Sequence, residues 1–350
     1  MDFRFTEDQQ LLAEGARDFL RAEVTTERLR ALWDTPTGRD DALWAQLAGL
    51  GLTGLLVPEE HGGLGLGDIE MVSIAEACGH VALPEPLIDT ALIGAAMLRD
   101  AGNAALAAEW LPRIAEGTAR IAVGHPVNPL VADAHVADLL LLPQGDAILA
   151  VPREAVSITA NESLDPSRRL FRVEASPGAG SVLAAGDKAR HLLDSALDRG
   201  TLAAAAQALG VAQRLIDLSV AYTRDRKQFG QVVGSFQAVQ HLMANVAVKL
   251  EYAKAPVQRA ASEIARGTSR AALSASHAKL VACEAASLAA RNSIQVHGAM
   301  GYTWEVDVHI FAKRAWVLES AWGDRAFHKL RVTDAVLADG AEIGPGATFG

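Results

Sequence analysis

Through the first third of the chain, apolar residues recur three and four positions apart, beginning with "TEDQQLLAEGARDFLRAEV". That is the period of helices with one buried face. Thr6 stands just before the run and reads as its N-cap. The stretch "ALWAQLAGLGLTGLLVPEEHGGLGLGDIEMVSIAEACGHV" continues with a helix, a loop rich in Gly and Pro, and another helix. Gly62, Gly63, Gly65 and Gly67 supply the turns of a helix-to-helix connection; a loop of this make-up is also able to line a site. From about residue 118 to 186 the pattern changes to short β-like runs, "DLLLLP", "AILAVP", "AVSITA" and "LFRVEA", separated by Pro, Gly, Asp and Asn. From 187 onward long Ala-rich stripes return at roughly 192–223, 235–266, 270–297 and 305–335, and their short connections predict an antiparallel four-helix bundle. The closing "ADGAEIGPGATFG" carries no period and reads as a disordered tail. The expected fold is therefore mainly α with a small central β domain: a helical domain over 1–117, a short β domain over 118–186, the bundle over 187–335 and a tail over 336–350.

Composition narrows the function classes. The 350 residues are half hydrophobic and carry a formal charge of −10, which argues against a broad phosphate-backbone partner such as nucleic acid. Cys78 and Cys283 are far apart, which excludes zinc spacings and a disulfide framework and fits a reducing cytoplasm. No metal site is legible. The N-terminus has no apolar segment of signal-peptide length, and no uninterrupted apolar run approaches the ~18 residues of a membrane span, so the expected location is the cytoplasm without a membrane role.

Against this acidic background, "RDRKQFGQVVGSFQ" at 224–237 concentrates Arg224, Arg226 and Lys227. The first bundle helix is expected to end near Arg226, with Gly230 and Gly234 as turn residues and Ser235 as the cap of the next helix. Cations at a helix C-terminus complement its dipole, so simple solvated capping is one reading of the cluster. Retention of a small anion is the other. His297 reads as a packed histidine rather than a proton shuttle, Trp304, Trp316 and Trp322 as core with the lining of an apolar pocket as the alternative, and Glu251 as an ion-pair partner of Lys249 and Lys254.

The runs "YTRDRKQFGQVVGSFQAVQHLMANVAVKLEYAKA" and "SIQVHGAMGYTWEVDVHIFAKRA" resemble the C-terminal bundle of the acyl-CoA dehydrogenase family, while "MDFRFTEDQQLLAEGARDFL" and "GLTGLLVPEEHGGLGLGDIEMV" resemble its N-terminal helical domain. The resemblance covers nearly the whole chain. It implies a flavin enzyme in which a carboxylate removes the α-proton of an acyl-CoA thioester and the β-hydride passes to FAD. Carried over position by position, it implies FAD contacts at Arg226, Phe229 and Gln237 from the "RKQFG" turn and the helix that follows it, across a subunit interface. It implies further contacts at Gln295 and Gly298, with Ala299 where a second glycine is usual. On that reading Arg226 holds the FAD diphosphate by a charge-assisted contact.

The chain also departs from the family's pattern. In the β domain the "TEPxAGSD"-like segment and the Trp-x-Thr pair that embrace the flavin ring are replaced by "AVGHPVNPLVADAHVADLLLL". The two positions from which the family supplies its base fall on Trp322 and Gly200, neither able to accept a proton. Asp324 and Glu319 are the nearest alternative carboxylates, and Asp198 lies near the other position; capping or solvation is the simpler reading of all three. Together these features imply a subunit of a heteromeric (α2β2) acyl-CoA dehydrogenase of the actinobacterial kind, acting on a bulky or steroid-derived acyl-CoA, with a homologous partner supplying the base and electron-transferring flavoprotein as the acceptor. The alternatives are a homomeric flavoenzyme with a relocated carboxylate and a flavin-free scaffold subunit.

Overall fold

The computed structural model of the protein describes residues 5–176, 178–341 and 344. Helix α1 (Glu7–Glu23) opens on a reciprocal capping box: the Gln9 N–H donates to Thr6 Oγ1 at 3.3 Å and the Thr6 N–H to Gln9 Oε1 at 2.9 Å. The caps of α2 (Thr26–Trp33) and α3 (Asp41–Gly49) are one-way: the Thr25 side chain accepts the Arg28 N–H, and the Asp40 carboxylate accepts the Ala42 and Leu43 N–H groups. The glycine-rich stretch is a connection to α4 (Asp68–Val81), folded on itself by Leu64 N–H to Gly54 O and Gly65 N–H to Val57 O bonds of 3.0 and 2.9 Å. At Gly63 a Cβ would lie 2.1 Å from Val57 O, so only glycine lets the loop close. A π-helical turn, Ile88–Gly94, then leads into α5 (Ala95–Asp100) and α6 (Ala104–Ala115).

Among the described residues seven strands follow: β1 (Ile121–Val123), β2 (Val131–Ala132), β3 (Leu139–Gln144), β4 (Ala147–Pro152), β5 (Val156–Asn161), β6 (Leu170–Ala175) and β7 (Ser181–Ala185). They form one sheet of order β1-β3-β4-β7 and another of order β2-β6-β5, with Leu140, Val151, Val131 and Phe171 in a common core. The four runs read from the sequence are β3 to β6; β1, β2 and β7 escape that reading because each is five residues or fewer.

Helix α7 (Gly186–Asp225) is followed by a hairpin, β8 (Lys227–Gln228) and β9 (Gln231–Val232), then α8 (Gln237–Ala265), α9 (Ala271–His297), α10 (Val308–Ser320) and α11 (Arg325–Leu337). The pattern predicts one helix over 305–335, but the chain breaks between α10 and α11. Trp322 and Gly323 take φ of 55° and 92°, and Asp324 caps α11 by accepting the Phe327 N–H at 2.8 Å. Ser235 is not the cap of α8. That position is Phe236, and the Ser235 hydroxyl donates instead to Val232 O at 2.7 Å. The tail expected over 336–350 begins inside α11, and its residues 342, 343 and 345–350 lie outside those described.

The chain divides into two compact units, Met1–Leu20 with Val72–Ala82 and Thr201–Gly350, and Arg21–Met71 with Leu83–Gly200. In the first, α9 packs against α8, α10 and α11 through a stripe of buried alanines that includes Ala278, Ala282, Ala285 and Ala289. Small side chains let the helices approach closely. The approach of α4 to α7 is closer still: a Cβ on Gly210 would lie 1.9 Å from Glu76 O. In the second unit, the Glu85 carboxyl accepts the Asp40 N–H at 2.8 Å, and burial pushes it up to about 7. Among the described residues no helix is long and apolar enough to cross a membrane.

Candidate functional site

The basic cluster falls where α7 ends. Arg226 follows the last helical residue, its N–H bonded to Tyr222 O at 2.9 Å and its carbonyl accepting the Val233 N–H at 2.7 Å. Its guanidinium is exposed and makes no hydrogen bond or ion pair among the described residues. Phe229 and Gly230 form the tip of the β8–β9 hairpin with φ of 54° and 81°. Two positive φ values suit the twist of a two-residue hairpin, but an aromatic residue adopts one only at a cost. This Phe is also 93% exposed, so burial does not offset that cost. Strain kept at an exposed tip points to a binding role. Gln237 is the exposed first residue of α8, whose N-terminus has no side-chain cap. An uncapped helix start and a guanidinium without a partner among the described residues are both donors of the kind an anion accepts from.

The second turn lies at the C-terminus of α9. Gly298 has φ 61° and ψ −137°, a backbone region closed to other residues, and its N–H closes the helix on Gln295 O. A Cβ there would meet nothing within 4 Å, so the backbone is open to a neighbour. Gln295 and Ala299 are exposed on either side. The two turns adjoin through the stacked rings of Tyr222 and His297, whose centroids are 4.2 Å apart. His297 is packed, as the sequence suggests, and burial lowers its pKa.

The positions expected to hold a base are closed. The Ala321–Asp324 corner is pinned by Lys279, a residue 2% exposed in the middle of α9, whose Nζ donates to Ala321 O and, at 3.0 Å, to Gly323 O. The Trp322 carbonyl accepts His328 Nε2–H at 2.9 Å and the Thr201 hydroxyl at 3.4 Å. Trp322 is buried. Gly200, directly before Thr201, is buried within α7. Asp324 is committed as the α11 cap, while Glu319 is half-buried near the end of α10. Asp324 and Glu319 line an open cavity of about 530 Å³ with Trp316, Arg325 and Lys329.

Sequence reasoning missed Lys279, His328 and Tyr222. The one signal for Lys279 was a lysine within the Ala- and Ser-rich run "SASHAKLVACEAASLAA", whose other ionisable residues apart from Cys283 are His277 and Glu284. Three other expectations need correction. Trp304 and Trp316 are not core: the first is exposed under the Lys313 ammonium, 3.7 Å from its ring centre, and the second is at the surface. Lys249 pairs with Glu284 rather than with Glu251, which keeps only Lys254.

His328 must be neutral in this setting. Its Nε2–H serves the carbonyl, which leaves Nδ1 to accept the Ser276 hydroxyl at 3.1 Å. Burial, and after it the nearby Lys279 charge, push its pKa down to about 4. A histidine whose folded pKa lies below its unfolded value contributes stability above the unfolded value and loses it as pH falls toward the folded one. Wild-type stability is therefore expected to fall relative to His328→Gln as pH drops from about 6.5 to 4, measured by denaturant midpoints at each pH. Parallel curves for the two proteins would rule this out.

The residues 191–337 match the family model described as acyl-CoA dehydrogenase, C-terminal domain, and 6–118 match its N-terminal domain. The acyl-CoA dehydrogenase IpdE2 of Mycolicibacterium smegmatis is 34% identical over 313 residues, 89% of this chain and 93% of that protein. The chain belongs to the acyl-CoA dehydrogenase family. Among solved structures, the ChsE4-ChsE5 complex of Mycobacterium tuberculosis is similar at TM-score 0.84 and 25% identity, covering 97% of this chain and 99% of that one. A variant of the Tcur3481-Tcur3483 steroid ACAD is similar at TM-score 0.85 and 26% identity over 96% and 99%. As an acyl-CoA dehydrogenase the protein is an oxidoreductase acting on acyl-CoA, and its cofactor is FAD. The donor set fits the diphosphate half of that cofactor: a free guanidinium, an uncapped helix start and a glycine turn open to close approach.

Proposed function

We propose that this acyl-CoA dehydrogenase chain is one subunit of a heteromeric enzyme, completing an FAD site while a homologous partner supplies the catalytic base. The observation that carries this reading is the closed Ala321–Asp324 corner. Where the family pattern has its carboxylate, an indole is buried with its own carbonyl bonded twice, and both neighbouring carbonyls are held by Lys279. Gly200 at the other position has no side chain to offer, and Asp324 is occupied as a cap. No proton at the α-carbon of a thioester has an acceptor at either position.

On the cofactor side, Arg226 would meet the FAD diphosphate, Gln237 and the start of α8 would add donors, and Phe229 would present its ring to the adenosine half. The backbone at Gly298 would approach from the other turn, flanked by Gln295 and Ala299. When bound, FAD supplies the acceptor for the hydride that leaves the β-carbon of the acyl chain. Similarity to a steroid ACAD and to a complex of two named chains supports a bulky or steroid-derived acyl-CoA and an unlike partner subunit. Electron-transferring flavoprotein is the electron acceptor that family membership favours.

The test is the visible flavin absorbance of the chain purified alone and after co-expression with a homologous acyl-CoA dehydrogenase subunit. Colour and turnover are expected only in the co-purified complex. A chain that is yellow by itself and oxidises an acyl-CoA would overturn the reading and move attention to Glu319.

A further inference from the structure

The turns carrying Arg226 and Gly298 belong to separate helices, and a small group of side chains outside the set of FAD contacts ties them together. Tyr222, one helical turn before Arg226 on α7, stacks on His297 at 4.2 Å between ring centres and 22° between planes. Its hydroxyl donates to His297 O at 3.4 Å, the carbonyl immediately before Gly298, and its own carbonyl accepts the Arg226 N–H at 2.9 Å. One residue therefore touches the backbone of both turns. A turn lower on the same helices, Ser219 Oγ–H donates to Ser293 Oγ at 2.9 Å, and Ser293 Oγ–H to Leu215 O at 3.2 Å. His297 is oriented in turn by its Nδ1–H, which donates to Ser293 O at 2.7 Å. The 3-10 turn after the hairpin, Val233–Ser235, is pressed against the same end of α7, since a Cβ on Gly234 would lie 3.0 Å from Thr223 O.

We propose that Tyr222 is a positioning residue for FAD, with His297 as its partner: the stacked pair sets the separation between the two turns that grip the cofactor. The inference rests on the reading of Arg226 and Gly298 as cofactor contacts. One rigid diphosphate has to satisfy donors on two chain segments at once, and donors already held at the right spacing bind it without an ordering cost. Burial lowers the histidine's pKa, so the stack is a contact between two uncharged rings, and acid, by favouring the protonated imidazole, weakens it.

The experiment is FAD titration of the flavin-depleted, co-purified complex, followed by flavin fluorescence, with the dissociation rate measured by dilution. Tyr222→Ala is expected to raise Kd about tenfold and to speed release, and His297→Ala to do the same, the double variant being no worse than either alone. His297→Phe, which keeps a ring in the stack, is expected to restore most of the affinity lost in His297→Ala. A purely structural contact would move thermal stability without this rescue and without the shared loss. Tyr222→Phe keeps the ring and loses only the hydroxyl bond, so it remains informative if the alanine variant does not fold; its Kd is expected to rise about threefold. Wild-type affinity in the Tyr222 variants, alongside weakened binding in Arg226→Ala, overturns the inference while the cofactor reading stands. Wild-type affinity in Arg226→Ala overturns the cofactor reading itself.

Discussion

Arg226→Ala is expected to lower the FAD affinity of the assembled complex by about 10- to 100-fold, the range that a charge-assisted contact of roughly 1.5–3 kcal/mol predicts. The side chain is exposed, and among the described residues no carboxylate competes for it, so its loss leaves no buried partner unsatisfied. The backbone of the turn is held independently by the Arg226 carbonyl bond to Val233 and by the β8–β9 pairing. Folding should therefore be nearly untouched while flavin content falls. Arg226→Lys is expected to recover part of the loss, because a lysine keeps the charge but gives up the planar fork. The measurement is flavin-to-protein ratio after gel filtration together with thermal midpoint. Full occupancy in Arg226→Ala would reassign the cluster to solvated helix-end charges.

Lys279→Ala is expected to have the larger effect on stability, about 4 kcal/mol or more. Two costs combine. The variant empties the space of a buried long side chain, and it leaves the carbonyls of Ala321 and Gly323 without their shared donor. Those carbonyls flank Trp322, whose positive φ persists only while its surroundings enforce it. Lys279→Met separates the costs, since it restores most of the volume without the donor; an intermediate loss is expected. Denaturant midpoints of the three proteins decide the matter. A loss below about 1 kcal/mol in Lys279→Ala would mean that the corner is held by the His328 bond and local packing alone.

Much of the architecture was written in local pattern. The capping box at Thr6, the runs that became β3 to β6 and the extents of α8 and α9 all follow from residue spacing, because propensity and amphipathic period act within a few residues of themselves. The break between α10 and α11 was not legible. Ala321–Trp322 carries no proline, and a single glycine at 323 is weak punctuation until a donor from another helix holds the chain in a left-handed turn. Ser235 misled for a related reason: its hydroxyl had a local carbonyl within reach in the 3-10 turn, which competed with the cap.

The sequence by itself determined the side chains available: the cationic "RKQFG" turn, the glycine at 298, and a tryptophan and a glycine at the two positions where the family resemblance leads one to expect a base. Only the tertiary structure decided how those pieces are used. It set Tyr222 against His297 so that two turns 71 residues apart, counting from Arg226 to His297, share one end of the bundle, and it aimed a buried lysine at the carbonyls on either side of Trp322. The reason is physical. Side-chain type is a property of one position, whereas a stacking distance or a donor's direction depends on how helices remote in sequence pack, and nothing in local spacing encodes that.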